Sequence, residues 1–162
     1  MRGKLFFDGG CRPSNPGPAG FACVIQMENG DEYTLARHIG FKTNNEAEYY
    51  GLIVGVKYAA ECGATELEIF TDSKLVEGQI NQGWKRKDFK MKCLAAEAED
   101  VLRKHFEDSW ELNWHRRENN SLADELCTKA ILAGQLANPF VRKTAVTAAD
   151  IRSMDPFSRP ST

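Results

Sequence analysis

The sequence has no run of about eighteen consecutive apolar residues, so it offers no candidate transmembrane helix and we expect no membrane association. It also lacks an excess of positive charge, because 21 lysine and arginine residues face 23 aspartate and glutamate residues. A protein that coats nucleic acid without specificity is usually strongly basic. Any polyanionic partner must therefore be held by a local basic patch or by metal ions.

Cysteines are few, odd in number and widely spaced, and no two form a C-x-x-C pair. They are Cys11, Cys23, Cys62, Cys93 and Cys127. This pattern argues against a disulfide framework and a zinc site, and it indicates reduced thiols. The first segment, MRGKLFFDGGCRPSNPG, places Asp8 and two prolines where a signal peptide needs an apolar run. We therefore expect no secretion and a cytoplasmic monomer.

The 162 residues are 42% hydrophobic, which is typical of one globular domain. Short apolar runs alternate with helical patterns, and Asn29-Gly30 is a hairpin signal. The predicted strands are 4–10, 20–27, 32–39, 66–72 and 109–117, and the predicted helices are 44–62, 73–82, 88–106 and 120–134. This order predicts an α/β fold with a five-stranded mixed sheet, in which three antiparallel strands precede two parallel ones, flanked by helices.

The chain changes character after residue 137. Residues 138–162 contain three prolines and show weak periodicity, although six large apolar side chains lie among them. We therefore expect a globular domain over 1–137 and a C-terminal tail over 138–162 that is partly docked or flexible.

Two acidic residues close apolar strands, and two more lie on helices. Asp8 ends the first strand and Asp72 the fourth, at the carboxyl edge where ligands bind in open α/β sheets. Asp72 could instead cap the next helix, and Asp124 could simply complement a helix dipole. Glu48 shares a helical stripe with apolar residues and should face the sheet, whereas Glu46 should face water or assist the helix start.

Several carboxylates converging without lysines would repel one another unless they bind divalent cations. Oxygen ligands without histidine or cysteine suit Mg²⁺ or Mn²⁺. Two such ions suit in-line attack of water on a phosphodiester.

Four segments now resemble one family, the type 1 ribonucleases H, within the larger ribonuclease H-like fold. They are FFDGGCRPSNPGPAGFA (6–22), TNNEAEYYGL (43–52), FTDSKLV (70–76) and RRENNSLADELC (116–127). Their order and the elements between them make the resemblance specific. The short connection before the last segment is similar to that of a subgroup lacking the basic protrusion and the loop histidine of other members.

The resemblance implies endonucleolytic hydrolysis of the RNA strand of RNA–DNA hybrids, leaving 5′-phosphate and 3′-hydroxyl ends. It implies that two Mg²⁺ ions, with Mn²⁺ possible, are held by Asp8, Glu48, Asp72 and Asp124. By the same motifs, Asn15, Asn44 and Asn45 would contact the hybrid, including RNA 2′-hydroxyls, and Thr43 would contact a phosphate of the DNA strand.

A basic segment, WKRKDFKMK (84–92), follows the third motif. It predicts that Trp84, Lys85 and Arg86 contact the DNA strand, although a solvated helix start is the alternative. Phe41 stands where a basic residue is expected two positions before Thr43, and Lys42 could substitute for it. His115 could assist catalysis or be fixed in the sheet.

Three alternatives stay open at this point. The chain could be a catalytically silent hybrid-binding module, although all four acids are present. It could be a junction resolvase, which should not carry the T-N-N segment. A sugar-kinase-like ATPase would need a second domain, and the loop GGCRPSNPGPAG lacks the P-loop pattern.

Overall fold

The structure, a computed structural model, describes residues 1–136, and the predicted tail over 138–162 lies outside them. Short apolar strands and capped amphipathic helices alternate as the sequence predicts. In chain order the elements are β1 (Arg2–Cys11), β2 (Gly17–Met27), β3 (Glu32–Lys42), α1 (Asn44–Glu61), β4 (Glu66–Thr71), α2 (Lys74–Asn81), α3 (Phe89–Phe106), β5 (Trp110–Trp114), a 3₁₀ helix (Arg117–Asn120) and α4 (Ser121–Leu136).

The five strands form one mixed sheet in the order β3-β2-β1-β4-β5. β1 is central, antiparallel to β2 and parallel to β4, and β5 is parallel to β4. Pairing between β1 and β4 ends at Phe6 and Phe70, so Asp8 and Asp72 both lie just beyond it. The predicted mixed α/β sheet is confirmed, and its parallel edge brings these two carboxylates together.

Close packing of α1 on β1 depends on small residues. A Cβ atom at Gly9 would lie 2.2 Å from the main-chain carbon of Ala47, and one at Gly51 would lie 3.1 Å from the Phe7 ring. The two backbones therefore touch at Gly9, which places the first turns of α1 directly against the end of β1. The hydrophobic core fills this face of the sheet, while a smaller apolar cluster under α4 covers the other.

The chain after β5 differs from the prediction of one strand over 109–117. Strand pairing ends at Trp114, although the His115 amide still donates to the Thr71 carbonyl at 2.9 Å. The Asn119 amide then bonds the Arg116 carbonyl at 3.0 Å and starts the 3₁₀ helix. This tight turn leads into α4. Within the described part of the chain, no helix is both long and apolar enough to cross a membrane.

Candidate active site

Three carboxylates from three different elements meet at the carboxyl ends of the parallel strands β1 and β4. Asp8 comes from β1, Glu48 from α1 and Asp72 from the residue after β4, and one oxygen of each lies within 4.8 Å of the others. Asp8 and Glu48 are buried, with 7% and 8% of their surface exposed. The helical-face argument is thus confirmed for Glu48, which points at the sheet.

Burial and mutual repulsion oppose ionisation of this cluster. Burial, followed by the negative charge of Asp72, raises the pKa of Asp8 from 3.8 to about 7. Burial and the nearby Asp8 raise the pKa of Glu48 well above its ordinary value. The cluster therefore retains protons near neutral pH unless a cation compensates for its charge.

The donor set fits a hard divalent cation. Glu48 Oε2 is buried and has no hydrogen-bond partner among residues 1–136. A buried carboxylate oxygen without a partner is costly, and a bound cation would satisfy it. The ligand atoms are all carboxylate oxygens, which divalent ions such as Mg²⁺ and Mn²⁺ prefer.

Asp124 adds a fourth carboxylate to the same open cavity of about 560 Å³. It lies in the first turn of α4, next to Asp8, and contributes to the rise in the pKa of Asp8. Its side chain is 34% exposed and accepts a hydrogen bond from Arg117 Nη2 at 3.4 Å. The structure thus brings together all four acids that the sequence singles out.

Asn44 lines the cavity, Asn15 is hydrogen-bonded to it, and the oxygen of each side chain is held by a main-chain amide. Asn44 Oδ1 accepts from the Cys11 amide at 3.0 Å, and Asn15 Oδ1 accepts from the Asn44 amide at 3.0 Å. These bonds use the carbonyl oxygen of each side chain, so each NH₂ group remains to donate to a ligand. Asn45 is exposed and lines the cavity too.

Thr43 caps α1. Its hydroxyl accepts from the Glu46 amide at 3.1 Å, while Glu46 Oε1 accepts from the Thr43 amide at 3.2 Å. The expectation that Glu46 assists the helix start is confirmed, but its alternative exposure to water is wrong, since only 7% of Glu46 is exposed. Lys90 Nζ of α3 lies 3.8 Å from Glu46 Oε2 and forms an ion pair with it.

The basic segment between α2 and α3 contains both structural and exposed side chains. Trp84 packs its ring against Gly78, yet 48% of its surface remains exposed. Arg86 forms an ion pair with Glu99 at 2.6 Å and also bonds the Gln79 carbonyl at 3.2 Å. Arg86 thus ties this segment to α2 and α3, and the exposed cations here are those of the neighbouring lysines.

Asn120 was not among the predicted site residues. It is 2% exposed, and its Nδ2 donates to the Phe7 carbonyl at 2.8 Å and to Asp72 Oδ2 at 3.2 Å. The last motif has an asparagine four residues before Asp124, which is Asn120, and the structure shows that its side chain turns inward. His115 instead stacks on Phe70, with ring centroids 5.5 Å apart, and burial lowers its pKa. It is fixed against the sheet.

Comparison with known proteins finds a matching family model and several relatives of similar sequence. A family model described as "Reverse transcriptase-like" matches residues 6–130. A bifunctional protein of Mycobacterium tuberculosis is 38% identical over 135 residues, which are 81% of this chain and 36% of that protein. A ribonuclease HI of Halobacterium salinarum is 35% identical over 133 residues, which are 80% of this chain and 64% of that protein. The chain thus spans about a third of the mycobacterial relative.

Solved structures share the fold. RNase H1 from the halophilic archaeon Halobacterium salinarum has a TM-score of 0.77 and 33% identity, covering 83% of this chain and 100% of that one. LC11-RNase H1, solved in complex with an RNA/DNA hybrid, has a TM-score of 0.76 and 31% identity, covering 83% and 99%. The match extends over nearly all of the described residues.

Proposed function

Because the chain belongs to the ribonuclease H family, we propose that it hydrolyses the RNA strand of RNA–DNA hybrids endonucleolytically. The products are 5′-phosphate and 3′-hydroxyl ends. One observation carries the proposal: carboxylates from β1, α1 and β4 converge within 4.8 Å at an open cavity that two oriented asparagine amides adjoin. This arrangement combines a site for divalent cations with donors for a nucleic acid.

Asp8, Glu48, Asp72 and Asp124 are the residues that would hold two Mg²⁺ ions, with Mn²⁺ as the alternative. When bound, such ions lower the pKa of water and stabilise negative charge on phosphodiester oxygens. Asp8 and Glu48 must lose the protons that burial and repulsion favour, so metal binding releases protons and strengthens with pH. Arg117 donates a hydrogen bond to the half-buried Asp124 carboxylate beside it in the cavity wall.

Recognition of the hybrid rests on the amides beside the cavity. The NH₂ groups of Asn15 and Asn44 donate to acceptors of the minor groove, including the 2′-hydroxyl, which distinguishes RNA from DNA. Asn45 adds a further amide, and Thr43 contacts a phosphate of the DNA strand. The hydrogen bonds from the Cys11 and Asn44 amides support these roles, because they orient the side chains of Asn44 and Asn15.

The DNA strand then lies along the basic segment. Trp84 offers a half-exposed aromatic surface, and Lys85 and Lys87 offer exposed ammonium groups. Arg86 supports this segment through Glu99 and contacts phosphate only with the part of its guanidinium that the ion pair leaves available. A phosphate contact of this kind adds affinity that depends on salt.

Cleavage of labelled substrates tests the proposal. The RNA–DNA hybrid, duplex RNA and a four-way DNA junction are incubated with the protein and Mg²⁺, and the ends of the products are mapped. We expect cleavage of the hybrid's RNA strand and none by Asp8→Asn, which should still bind the hybrid. Cleavage of the junction alone would identify a resolvase, and hybrid binding without cleavage would identify a silent binding module.

We further propose that residues 1–137 form the catalytic domain and 138–162 a partly docked tail. None of the four acids lies in the tail. Truncation after Ala137 should lower the melting temperature by several degrees while turnover stays near normal. An unchanged melting temperature would make the tail a free appendage, and loss of cleavage by a folded protein would place it in the substrate path.

A further inference from the structure

Asn120 connects three segments around the carboxylate cluster of Asp8, Glu48 and Asp72 through one buried side chain. Its Nδ2 donates to the Phe7 carbonyl, one residue before Asp8, at 2.8 Å. The same nitrogen donates to Asp72 Oδ2 at 3.2 Å. Asn120 ends the 3₁₀ helix that leads into α4, which presents Asp124. A single amide thus joins the end of β1, the carboxylate after β4 and the start of α4.

The orientation of this amide follows from its surroundings. Both atoms near Nδ2 are acceptors, a main-chain carbonyl and a carboxylate oxygen. Exchanging Nδ2 and Oδ1 would place an oxygen against each of them and lose both hydrogen bonds. In the favoured orientation Asn120 Oδ1 is buried and finds no partner in the described part of the chain. The side chain therefore leaves its acceptor unpaired while both NH₂ hydrogens are used.

This pattern is unlike that of a residue selected for packing alone. A packing residue at a site with 2% exposure would be apolar or would satisfy all its polar atoms. The hydrogen bond from Asn120 instead acts on Asp72, whose carboxylate has an oxygen within 4.8 Å of oxygens of Asp8 and Glu48.

We propose that Asn120 is a positioning residue that holds the Asp72 carboxylate in place for cation binding. The inference deepens the proposed function and rests on it. Without the amide, the Asp72 carboxylate can rotate away from Asp8 and Glu48, with which it shares the metal-binding edge. Residues that support a metal ligand in this way typically contribute about 10- to 100-fold to metal affinity.

Calorimetric titration with Mn²⁺ alone tests the proposal in the full chain, without relying on cleavage. The variants are Asn120→Ala and Asn120→Ser, and the matched control is Asn119→Ala, because Asn119 is the same residue type next door but is exposed. Melting in EDTA, and kcat and KM for the hybrid at saturating metal, are measured in parallel. We expect Asn120→Ala to weaken Mn²⁺ binding about 10- to 100-fold, with an unchanged KM and with Asn119→Ala like the parent.

A purely structural role would lower the melting temperature but leave the Mn²⁺ affinity of the folded protein unchanged. A loss of affinity below about tenfold in folded Asn120→Ala therefore overturns the inference. If that variant does not fold, Asn120→Ser decides by the same criterion, and failure of both to fold makes Asn120 a folding determinant instead. If the parent binds no Mn²⁺, the proposed function itself fails, which separates the two outcomes.

Discussion

Replacing Asp8 by asparagine should stabilise the protein when no metal is bound, and this effect should grow as the pH rises from about 4 to about 7. Folding raises the pKa of Asp8 from 3.8 to about 7, through burial and the charge of Asp72. Because the unfolded chain ionises first as pH rises, unfolding is increasingly favoured between these two values. The free energy of unfolding is therefore unaffected by Asp8 below about pH 4, and it decreases as the pH rises toward the folded pKa of Asp8.

The magnitude follows from the pKa values of Asp8. A rise of about three pH units, at about 1.4 kcal/mol each, corresponds to about 4 kcal/mol of lost stability above neutral pH. Asparagine removes this charge but buries an amide, and incomplete hydrogen bonding of that amide costs about 1–3 kcal/mol. We therefore expect a net gain of about 1–3 kcal/mol, or about 4–10 °C in melting temperature.

Circular dichroism melting in EDTA measures the effect at about pH 5 and about pH 8. The parent and Asp8→Asn should melt alike at the lower pH, and the variant should melt higher at the upper one. Asp108→Asn is the control, because this exposed acid lies in the turn before β5, at the opposite end of the sheet. Added Mg²⁺ should stabilise the parent and the control but not Asp8→Asn.

The reasoning fails if Asp8→Asn melts at or below the parent at the upper pH. It also fails if raising the pH from the lower to the upper value decreases the melting temperature of Asp8→Asn but not that of the parent. Either result would mean that Asp8 ionises without penalty in the folded protein, so the repulsive cluster would not exist in solution.

Three further substitutions probe the site and its surroundings. Glu48→Gln should reduce cleavage by more than about 100-fold, because a residue that only supports a metal ligand already contributes about 10- to 100-fold. Glu46→Gln should have little effect, because glutamine keeps the reciprocal hydrogen bonds with Thr43. A larger effect at Glu46 than at Glu48 would refute the helical-face argument. Alanine at both Lys85 and Lys87 should lower the salt slope of hybrid binding by about 0.7–0.9 per lost phosphate contact, and an unchanged slope would assign both lysines to solvation. Gly9→Ala should lower the free energy of unfolding by at least about 2 kcal/mol, because its Cβ would meet the α1 backbone, and a melting temperature equal to the parent's would contradict this packing.

Much of the fold could be predicted because local signals and the global arrangement agree. Asn29-Gly30 predicts the hairpin between β2 and β3, where Gly30 has a φ of 96°. Thr43 and Asn44 are both candidate caps that predict a helix from about residue 44, and the structure shows that Thr43 is the cap. The stripe of small and apolar residues on α1 orients Glu48 toward Asp8. Periodicity and capping residues are read over a few neighbouring positions, so sequence alone contains them.

Other features depend on contacts between distant segments. Glu46 is buried and forms an ion pair with Lys90, from a helix far along the chain. Arg86 belongs to a basic run that predicts contact with the DNA strand, yet its guanidinium pairs with Glu99 on α3. The last motif places an asparagine four residues before Asp124, which is Asn120, but its contacts with Phe7 and Asp72 come from distant segments. Each of these contacts depends on a partner that tertiary structure supplies, so the local pattern does not show it.

The division of the acids between two packing units has a consequence for hydrogen exchange. Asp8, Glu48 and Asp72 lie on elements joined by the large core, whereas α4 is held by a small cluster of Ala22, Ala36, Cys127, Ala130 and Ile131. Amides of α4 should therefore exchange through a local opening at lower free energy than those of β1. If the proposed cations join Asp124 to the other acids, added metal should slow exchange in α4 more than in the sheet.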